Sequence, residues 1–309
     1  MVENGMRAES HLTIRGPHKD AEMNLLRISA FSDGGSGGNP AGVMICDAFP
    51  SDAQMQRIAA EVGFSETAFA SSTGVAWRVR YFSPEAEVPF CGHATIALGA
   101  ALALNHGDGV FKLVLNQAEI TVEGQRSGAL FSAALQSPPT HSSPASAELV
   151  REALDLFGYT QDDLDPRIPP ALAHGGADHL VIALRSREAL RRMKYKLAVG
   201  RELMIREGLV TILLGFAETA QLFHTRNPFA YGGVYEDPAT GAATAALAGY
   251  LRDIGWPHHG SIAIVQGEDM GMPSRLKAEI AAGRGESIRV SGTARIMQAT
   301  AAWSMLQLS

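Results

Sequence analysis

Short runs of alternating apolar and polar residues recur along this chain, and they predict a protein rich in β-strands. Residues 25–31, 75–82 and 129–135 are examples, each flanked by polar or glycine-rich segments. Amphipathic helices interrupt the strands, one after Ser51 and another over 147–157. The first is predicted to open at Ser51, with Gln54 three residues later as a capping box, and both are predicted to end before a glycine. This order of elements predicts an α+β fold.

Two further predicted helices are apolar on every side. Residues 93–104 and 243–251 consist mainly of alanine, leucine and other small or apolar residues, which favour helix, and neither run has a polar face. A helix of this kind is stable in water only when it is buried all round. We therefore expect each helix to lie at the centre of a wrapped sheet, whose strands can approach closely over the small side chains.

The same motif opens both apolar helices. It reads E-x-P-x-[CT]-G-x-A-T-x-A-L, and its copies begin at Glu87 and Glu236, 149 positions apart. A repeat at this spacing predicts two homologous halves. The length of 309 residues also fits two domains of about 150 residues each. The expected fold is thus two pseudo-equivalent domains, each a β-barrel-like sheet wrapped round a central helix.

A segment rich in proline and serine separates the two halves. It predicts a linker over 137–145, between an N-terminal domain over 23–136 and a C-terminal domain over 146–309. The last strand of the C-terminal domain is free to pack on the N-terminal one. Residues 1–22 are mixed and charged and contain no apolar run, which indicates a disordered extension rather than a signal peptide.

The composition excludes several classes of protein. Hydrophobic residues make up 46% of the chain and charged residues 19%, as in globular proteins. The net charge of −6 and the lack of a basic cluster argue against nucleic acid as a partner. No apolar stretch reaches the length of about 18 residues that a membrane span needs. The two cysteines form no disulfide framework and no metal-binding pattern, so we expect a cytoplasmic protein without a metal.

The differences between the two motif copies identify candidate functional residues. His93 follows the glycine of the first copy where the second has Ala242, and Asp237 stands where the first copy has Val88. Each of these polar residues has an apolar counterpart in the other half. The repeated fold therefore does not require a polar side chain at either position. We expect them on opposite walls of one cleft. The alternative is that the histidine is satisfied by a neighbour and the aspartate caps a turn.

Two further residues carry candidate chemistry. Glu66 lies at the entry of a predicted strand, where burial would raise its pKa and suit it to general acid/base catalysis. Its alternative is an exposed glutamate on an edge strand. Cys91 lies at a helix N-terminus, where the pKa of a thiol can be lowered. It could act as a thiolate base, or it could be a small buried residue.

The starts of the two apolar helices form a candidate anion site. Free backbone N–H groups and the positive end of the helix dipole favour negative ligands. Donors at Gly92, His93 and Gly241 would face each other across the cleft and could hold a small carboxylate. We therefore predict a small-molecule carboxylate as the ligand.

Four segments resemble one known family in the same order along the chain. They are GNPAGV at 38–43, FSETAF at 64–69, PFCGHAT at 89–95 and EDPATG at 236–241. The chain is similar to the phenazine-biosynthesis (PhzF-like) isomerases, which share the diaminopimelate epimerase-like fold. This resemblance covers nearly everything from Met23 onward.

The resemblance implies roles for particular residues. Glu66 matches the general acid/base, and His93 and Asp237 match residues that position the substrate. The implied reaction moves a proton between carbons without a cofactor, on trans-2,3-dihydro-3-hydroxyanthranilate in the type enzyme, and such enzymes are usually homodimers. Substrate contacts are expected at Asn39, Cys91, Gly92, Thr240, Gly241 and Ala242. Two positions depart from the family: Ala242 replaces a common serine and Met272 a common arginine.

Two other functions fit parts of the sequence. A racemase or epimerase with two thiols would use Cys91, but the repeat puts Thr240 in the place of the second thiol and Cys46 lies in another predicted strand. A mixed mechanism with Cys91 and Glu66 stays open. A non-catalytic binding protein on the same scaffold would explain Ala242, although it would have no need for a titratable glutamate.

Overall fold

A computed structural model describes residues 12–14 and 23–297 of the chain. The strands, in chain order, are β1 (Leu12–Ile14), β2 (Met23–Ala30), β3 (Asn39–Cys46), β4 (Thr67–Ser72), β5 (Trp77–Phe82), β6 (Glu87–Val88), β7 (Gly109–Val114), β8 (Glu119–Ser127), β9 (Leu130–Pro139), β10 (His141–Pro144), β11 (Ala171–His174), β12 (Asp178–Ala183), β13 (Thr211–Ala217), β14 (Leu222–Phe229), β15 (Val234–Asp237), β16 (Ser261–Gln266), β17 (Ser274–Ile280) and β18 (Ser287–Ile296).

The helices are α1 (Asp52–Val62), α2 (Gly92–His106), α3 (Ala147–Phe157), α4 (Arg187–Arg191), α5 (Leu197–Glu207) and α6 (Gly241–Asp253). Short 3-10 turns occupy Gln161–Asp163, Ala230–Gly232 and Glu268–Met270.

Eight strands close into a barrel around α2. The order of hydrogen-bonded neighbours is β2, β3, β4, β5, β7, β8, β9 and β18, and β18 pairs back onto β2. All neighbours are antiparallel except β3 with β4 and β5 with β7. The first twelve residues of α2 are all buried inside this barrel. The prediction of a central helix wrapped by sheet is confirmed for this half.

The second half repeats the arrangement around α6. Its order is β10, β11, β12, β13, β14, β16, β17 and β18. The two parallel steps, β12 with β13 and β14 with β16, are again separated by one antiparallel step, as in the first barrel. The α+β fold of two pseudo-equivalent halves, predicted from the repeated motif, is therefore confirmed.

The two halves exchange strands. Residues 288–291 of β18 pair with β17 of the second half, while residues 294–296 pair with β2 of the first. The segment 137–145, expected to be a linker, instead lies mostly in β9 and β10, which belong to different halves. Pro139 and Pro144 are the last residues of these strands, where a missing N–H costs little.

The N-terminal extension differs from its expectation in one place. Leu12–Ile14 forms β1 and pairs antiparallel with the start of β2. The expected disorder over the rest of 1–22 lies outside the described residues.

The outer helices follow the sequence pattern unevenly. Ser51 and Gln54 form the predicted capping box of α1, and Ser146 caps α3. The helix α4 is short and ends at Arg191. Sequence analysis missed α5, because its apolar residues form no continuous stripe and Gly200 interrupts it. Among the described residues, no helix is long and apolar enough to cross a membrane.

The first barrel depends on close contact between β8 and α2. A Cβ atom at Gly124 would collide with the backbone carbonyl of Gly99 in the helix and would lie 3.0 Å from the Cβ atom of Ala103. Gly109, the direct partner of Gly124 in the β7–β8 ladder, has only an ordinary contact with Phe111 at that place.

We expect Gly124→Ala to lower the free energy of unfolding by about 3 kcal/mol, because the helix backbone cannot move aside cheaply. Gly109→Ala is the matched control and should change it by at most about 0.5 kcal/mol. Chemical denaturation of both variants beside the wild type measures the difference. Equal stability of the two variants would contradict tight packing of this strand on the helix.

Candidate active site

The N-termini of α2 and α6 meet at the interface between the two barrels. A Cβ atom added at Gly92 would lie 3.3 Å from the Cα of Gly241 and 3.3 Å from the backbone nitrogen of Ala242. The fit is tightest at Gly92, since a Cβ atom at Gly241 would make an ordinary contact of 3.5 Å with the Cα of Gly92. The first N–H groups of each helix have no acceptor within the helix, and both dipoles present their positive ends here. The junction therefore favours a negative group.

Glu66 lies at the edge of this junction, immediately before β4. Its backbone carbonyl accepts a hydrogen bond from Gly42 at 3.2 Å, which fixes the start of the strand. The residue is only 7% exposed, so Glu66 is not an exposed edge-strand residue. Its Oε2 atom is buried and accepts no hydrogen bond from the described residues. A carboxylate oxygen is thus available in a water-poor site.

His93 is the second residue of α2, and three side chains surround its ring. Nδ1 lies 3.3 Å from the sulfur of Cys91, and Nε2 lies 3.3 Å from the hydroxyl of Ser65. Nε2 is also 3.4 Å from Oε2 of Glu66. The imidazole is buried and is held beside the glutamate by the geometry of the helix start.

Asp237 approaches the same junction from the second half. Its carboxylate accepts hydrogen bonds from the amide of Asn39 and from the hydroxyl of Thr240, both at 2.6 Å. Burial raises the pKa of Asp237 to about 6, although the nearby His93 opposes this rise. The hydrogen bond from Asn39 crosses between the halves and joins β3 to the second motif.

Gln266 supports this aspartate and was missed by sequence analysis. Its side-chain amide donates to the backbone carbonyl of Asp237 at 2.7 Å and to the hydroxyl of Thr240 at 2.9 Å. The amide oxygen accepts the backbone N–H of Thr240 at 3.2 Å. The only signal in the sequence was a glutamine at the end of the apolar run of β16. In the structure this residue is 1% exposed.

Cys91 does not have the environment of a reactive thiol. The residue is buried, and burial together with the charge of Glu66 raises its pKa well above the usual value. The helix N-terminus is expected to lower the pKa, but desolvation and a neighbouring carboxylate outweigh it. Cys46 lies at the other end of β3 from Asn39, so no second thiol reaches the site.

A cleft of about 480 Å³, including the open space at its mouth, runs between the halves. Five of the six expected substrate contacts line it, whereas Asn39 is held against Asp237 and Ala239. Met272 lies in the turn after β16, where its N–H donates to Gly267. The lining residues are Glu66, Phe90, Cys91, Gly92, His93, Ala177, His179, Val210, Thr211, Phe229, Asp237, Thr240, Gly241 and Ala242.

The same cleft contains a group of possible metal ligands that sequence spacing did not indicate. One ligand atom each from Glu66, Cys91 and His93 lies within 4.8 Å of the other two. This set could coordinate a cation only if the thiol lost its proton, which its raised pKa opposes. The adjacent positive helix ends also favour an anion over a cation.

His179 and Thr211, on the wall formed by the second half, were also missed. His179 is fully buried, and burial lowers its pKa to about 3. Its Nδ1 lies 2.8 Å from the hydroxyl of Thr211. A histidine at the start of the apolar strand β12 was the only signal in the sequence.

Comparison with known proteins identifies the family of this chain. The family described as phenazine biosynthesis-like protein matches residues 28–300. An uncharacterized isomerase of Pseudomonas aeruginosa is 33% identical over 237 residues, which cover 74% of this chain and 81% of the relative.

Solved structures share the fold. The phenazine biosynthesis protein of the PhzF family from Bacillus anthracis superposes with a TM-score of 0.79 at 22% identity, covering 89% of this chain and 97% of that one. A probable proline racemase from Agrobacterium radiobacter has a TM-score of 0.60 at 11% identity, covering 90% and 93%. The family match over most of the chain confirms the resemblance of the four motifs, and the chain belongs to the phenazine biosynthesis-like (PhzC-PhzF) family.

Proposed function

We propose that this protein is a cofactor-independent isomerase that moves a proton within a small carboxylate substrate, with Glu66 as the general acid/base. One observation carries the proposal. A buried carboxylate oxygen that accepts no hydrogen bond from the described residues lines the same cleft as two abutting helix N-termini. The helix N-termini favour binding of an anionic group of the ligand. The carboxylate oxygen that accepts no hydrogen bond can take up a proton from a carbon atom of that ligand.

The substrate carboxylate would bind between the two helices. Backbone N–H groups at Gly92, His93, Gly241 and Ala242 would donate to it without any cationic side chain. Ala242 cannot add the hydroxyl that many relatives offer there, so the backbone supplies the donors. Their positive potential also offsets the repulsion between the ligand and the carboxylates of Glu66 and Asp237.

Proton transfer would then run through Glu66. Its oxygen would take a proton from one carbon while the electron pair left behind delocalises into the conjugated substrate, and it would return the proton to another carbon. One group can serve both steps if the substrate stays in place. The fixed start of β4 and the dry surroundings of Glu66 meet this need.

His93 and Asp237 would orient the substrate from the two walls. The imidazole, 3.4 Å from Glu66, can exchange a hydrogen bond with the substrate and with the glutamate. Asp237, held by Asn39 and Thr240, can accept a hydrogen bond from an amino or hydroxyl group. The type substrate of the family, trans-2,3-dihydro-3-hydroxyanthranilate, carries a carboxylate, an amino group and a hydroxyl group.

A thiol mechanism has less support. A racemase of this fold would need a thiolate at Cys91 and a second base across the cleft, but the thiol has a raised pKa and Thr240 occupies the equivalent position. A non-catalytic binding protein would give no reason for a buried glutamate with a carboxylate oxygen that accepts no hydrogen bond from the described residues. We also propose, from the family resemblance, that the protein acts in the cytoplasm as a homodimer.

We expect the wild type to convert trans-2,3-dihydro-3-hydroxyanthranilate and Glu66→Gln to lose turnover by about 10²–10⁴-fold, because the amide cannot take up the proton. NMR in deuterated water measures both the conversion and the deuterium entering the product. Glu61→Gln is the control, since this glutamate is exposed on α1.

Normal turnover by Glu66→Gln would reject Glu66 as the base. If the wild type and Glu61→Gln both leave this compound unchanged, the proposed substrate is wrong, and retained binding of it would favour the non-catalytic alternative.

We expect the buried Asp237 to make stability depend on pH. Its pKa is raised from 3.8 to about 6 in the folded protein, so the native state binds more protons than the unfolded state between these values. The stabilisation is complete below pH 3.8 and is lost as pH rises through about 6. Such a rise in pKa corresponds to about 3 kcal/mol.

Asp237→Asn keeps the shape of the side chain but cannot ionise. Its free energy of unfolding, measured relative to the wild type by denaturation at several pH values, should therefore increase from pH 4 to pH 7. A constant difference between the two proteins across this range would contradict the raised pKa.

A further inference from the structure

Three polar side chains form a chain of hydrogen bonds inside the second half. They are His179 on β12, Thr211 at the start of β13 and Asn227 on β14, which are neighbouring strands. Nδ1 of His179 lies 2.8 Å from the hydroxyl of Thr211, and this hydroxyl donates to Oδ1 of Asn227 at 3.2 Å. All three residues are almost completely buried.

The orientation of the Asn227 amide decides the tautomer of the imidazole. In the structure Oδ1 of this amide faces Thr211 and accepts its single hydroxyl proton, while Nδ2 has no hydrogen-bond partner among the described residues. The oxygen of Thr211 must therefore accept from His179, whose proton is then on Nδ1. Because burial keeps the ring neutral, Nε2 carries a lone pair and can only accept a hydrogen bond.

This acceptor has no partner among the described residues. Nε2 of His179 is a buried atom without a hydrogen bond, although the residue lines the cleft. Buried polar atoms of native proteins are nearly always paired, so an unpaired acceptor at a ligand cleft calls for a donor from the ligand. Asp178 and His174 are the other titratable groups that act on this ring: His174 lowers its pKa as burial does, and Asp178 raises it by less than burial lowers it.

The internal repeat places these hydrogen-bonded side chains opposite the proposed base, Glu66. Tyr81 and Asn227 pair with equivalent residues of the two motif copies, so they are equivalent positions. Each of these two residues has a partner on the adjacent strand, β4 or β13. Glu66 and Thr211 lie at the same distance before those partners, so Thr211 is the counterpart of Glu66. The first half thus offers a carboxylate at this position. The second half offers a threonine that orients His179.

We propose that Nε2 of His179 accepts a hydrogen bond from a hydroxyl or amino group of the substrate, on the wall of the cleft facing Glu66. This inference rests on the proposed function and narrows its substrate class. The ligand would be a small carboxylate with a donor group directed towards the second half, while its reacting carbon faces the first. His179 would then select among carboxylates by requiring that donor.

Two substitutions of His179 distinguish the proposed contact between Nε2 and the ligand from the hydrogen bond between Nδ1 and Thr211. In His179→Asn the amide can occupy the place of Nδ1, so the bond to Thr211 is kept and the acceptor towards the cleft is lost. In His179→Gln the longer side chain can place its amide oxygen near the position of Nε2, so the acceptor is kept and the bond to Thr211 is lost. A purely structural role would reverse the order of their effects on ligand binding.

The first measurement is the tautomer of His179 in the wild-type protein. Long-range proton–nitrogen NMR correlations, assigned with His179→Asn, should give a neutral ring protonated on Nδ1 throughout pH 5–8. A ring protonated on Nε2 would overturn the proposal, because it would present a donor to the cleft.

The second measurement compares three acids as probes: benzoate, anthranilate with an added amino group, and 3-hydroxybenzoate with an added hydroxyl group. At least one substituted acid should bind the wild type about fivefold to tenfold more tightly than benzoate. His179→Asn should lose this preference and His179→Gln should keep most of it. No preference in the wild type, or a preference kept by His179→Asn, would overturn the proposal.

A failure of this inference about His179 can be distinguished from a failure of the proposed catalytic function. Turnover and deuterium uptake test Glu66, whereas tautomer and probe binding are measured without turnover. Thermal melting checks that both His179 variants fold, and if His179→Asn does not, loss of the preference in His179→Gln decides against the acceptor role.

Discussion

The direct contact between two helix N-termini is the constraint on which the rest of this structure depends. Gly92 and Gly241 bring α2 and α6 close enough for a side chain at either position to touch the backbone of the other helix. Each helix must be buried along most of its length to reach this junction. Each barrel therefore surrounds an apolar helix. The positive ends of both dipoles meet in one place, and the acidic groups gather around them.

The electrostatics of the cleft follow from this junction. Two carboxylates, Glu66 and Asp237, lie buried near each other without a buried lysine or arginine among the residues that line the cleft. Asp237 is held by neutral donors, and its raised pKa reflects the cost of burial. One oxygen of Glu66 accepts no hydrogen bond from the described residues and lies 3.4 Å from Nε2 of His93. The helix ends provide the compensating positive potential, so the site can accept an anion and still hold a base beside it.

The repeated motif allowed the fold to be predicted because identical helix starts imply identical surroundings. Glu66, His93 and Asp237 could be singled out because each is polar where the local pattern does not need it. Gln266, His179 and Thr211 could not, since their partners come from strands far apart in the chain, and nothing local to them records the pairing. The role of Cys91 stayed open between a thiolate base and a buried residue for a related reason: the helix start is visible in the sequence, whereas burial, which raises the pKa of the thiol, follows only from packing.

The exchange of strands between the halves has a consequence for how such a protein could arise. β10 leaves the first half to complete the second, and the end of β18 leaves the second half to complete the first. A single half made as a separate chain would lack its closing strand and expose an unpaired sheet edge. A strand taken from another copy could close its barrel. The duplicated chain thus keeps within one molecule an arrangement that an unduplicated ancestor could have achieved as a strand-swapped dimer.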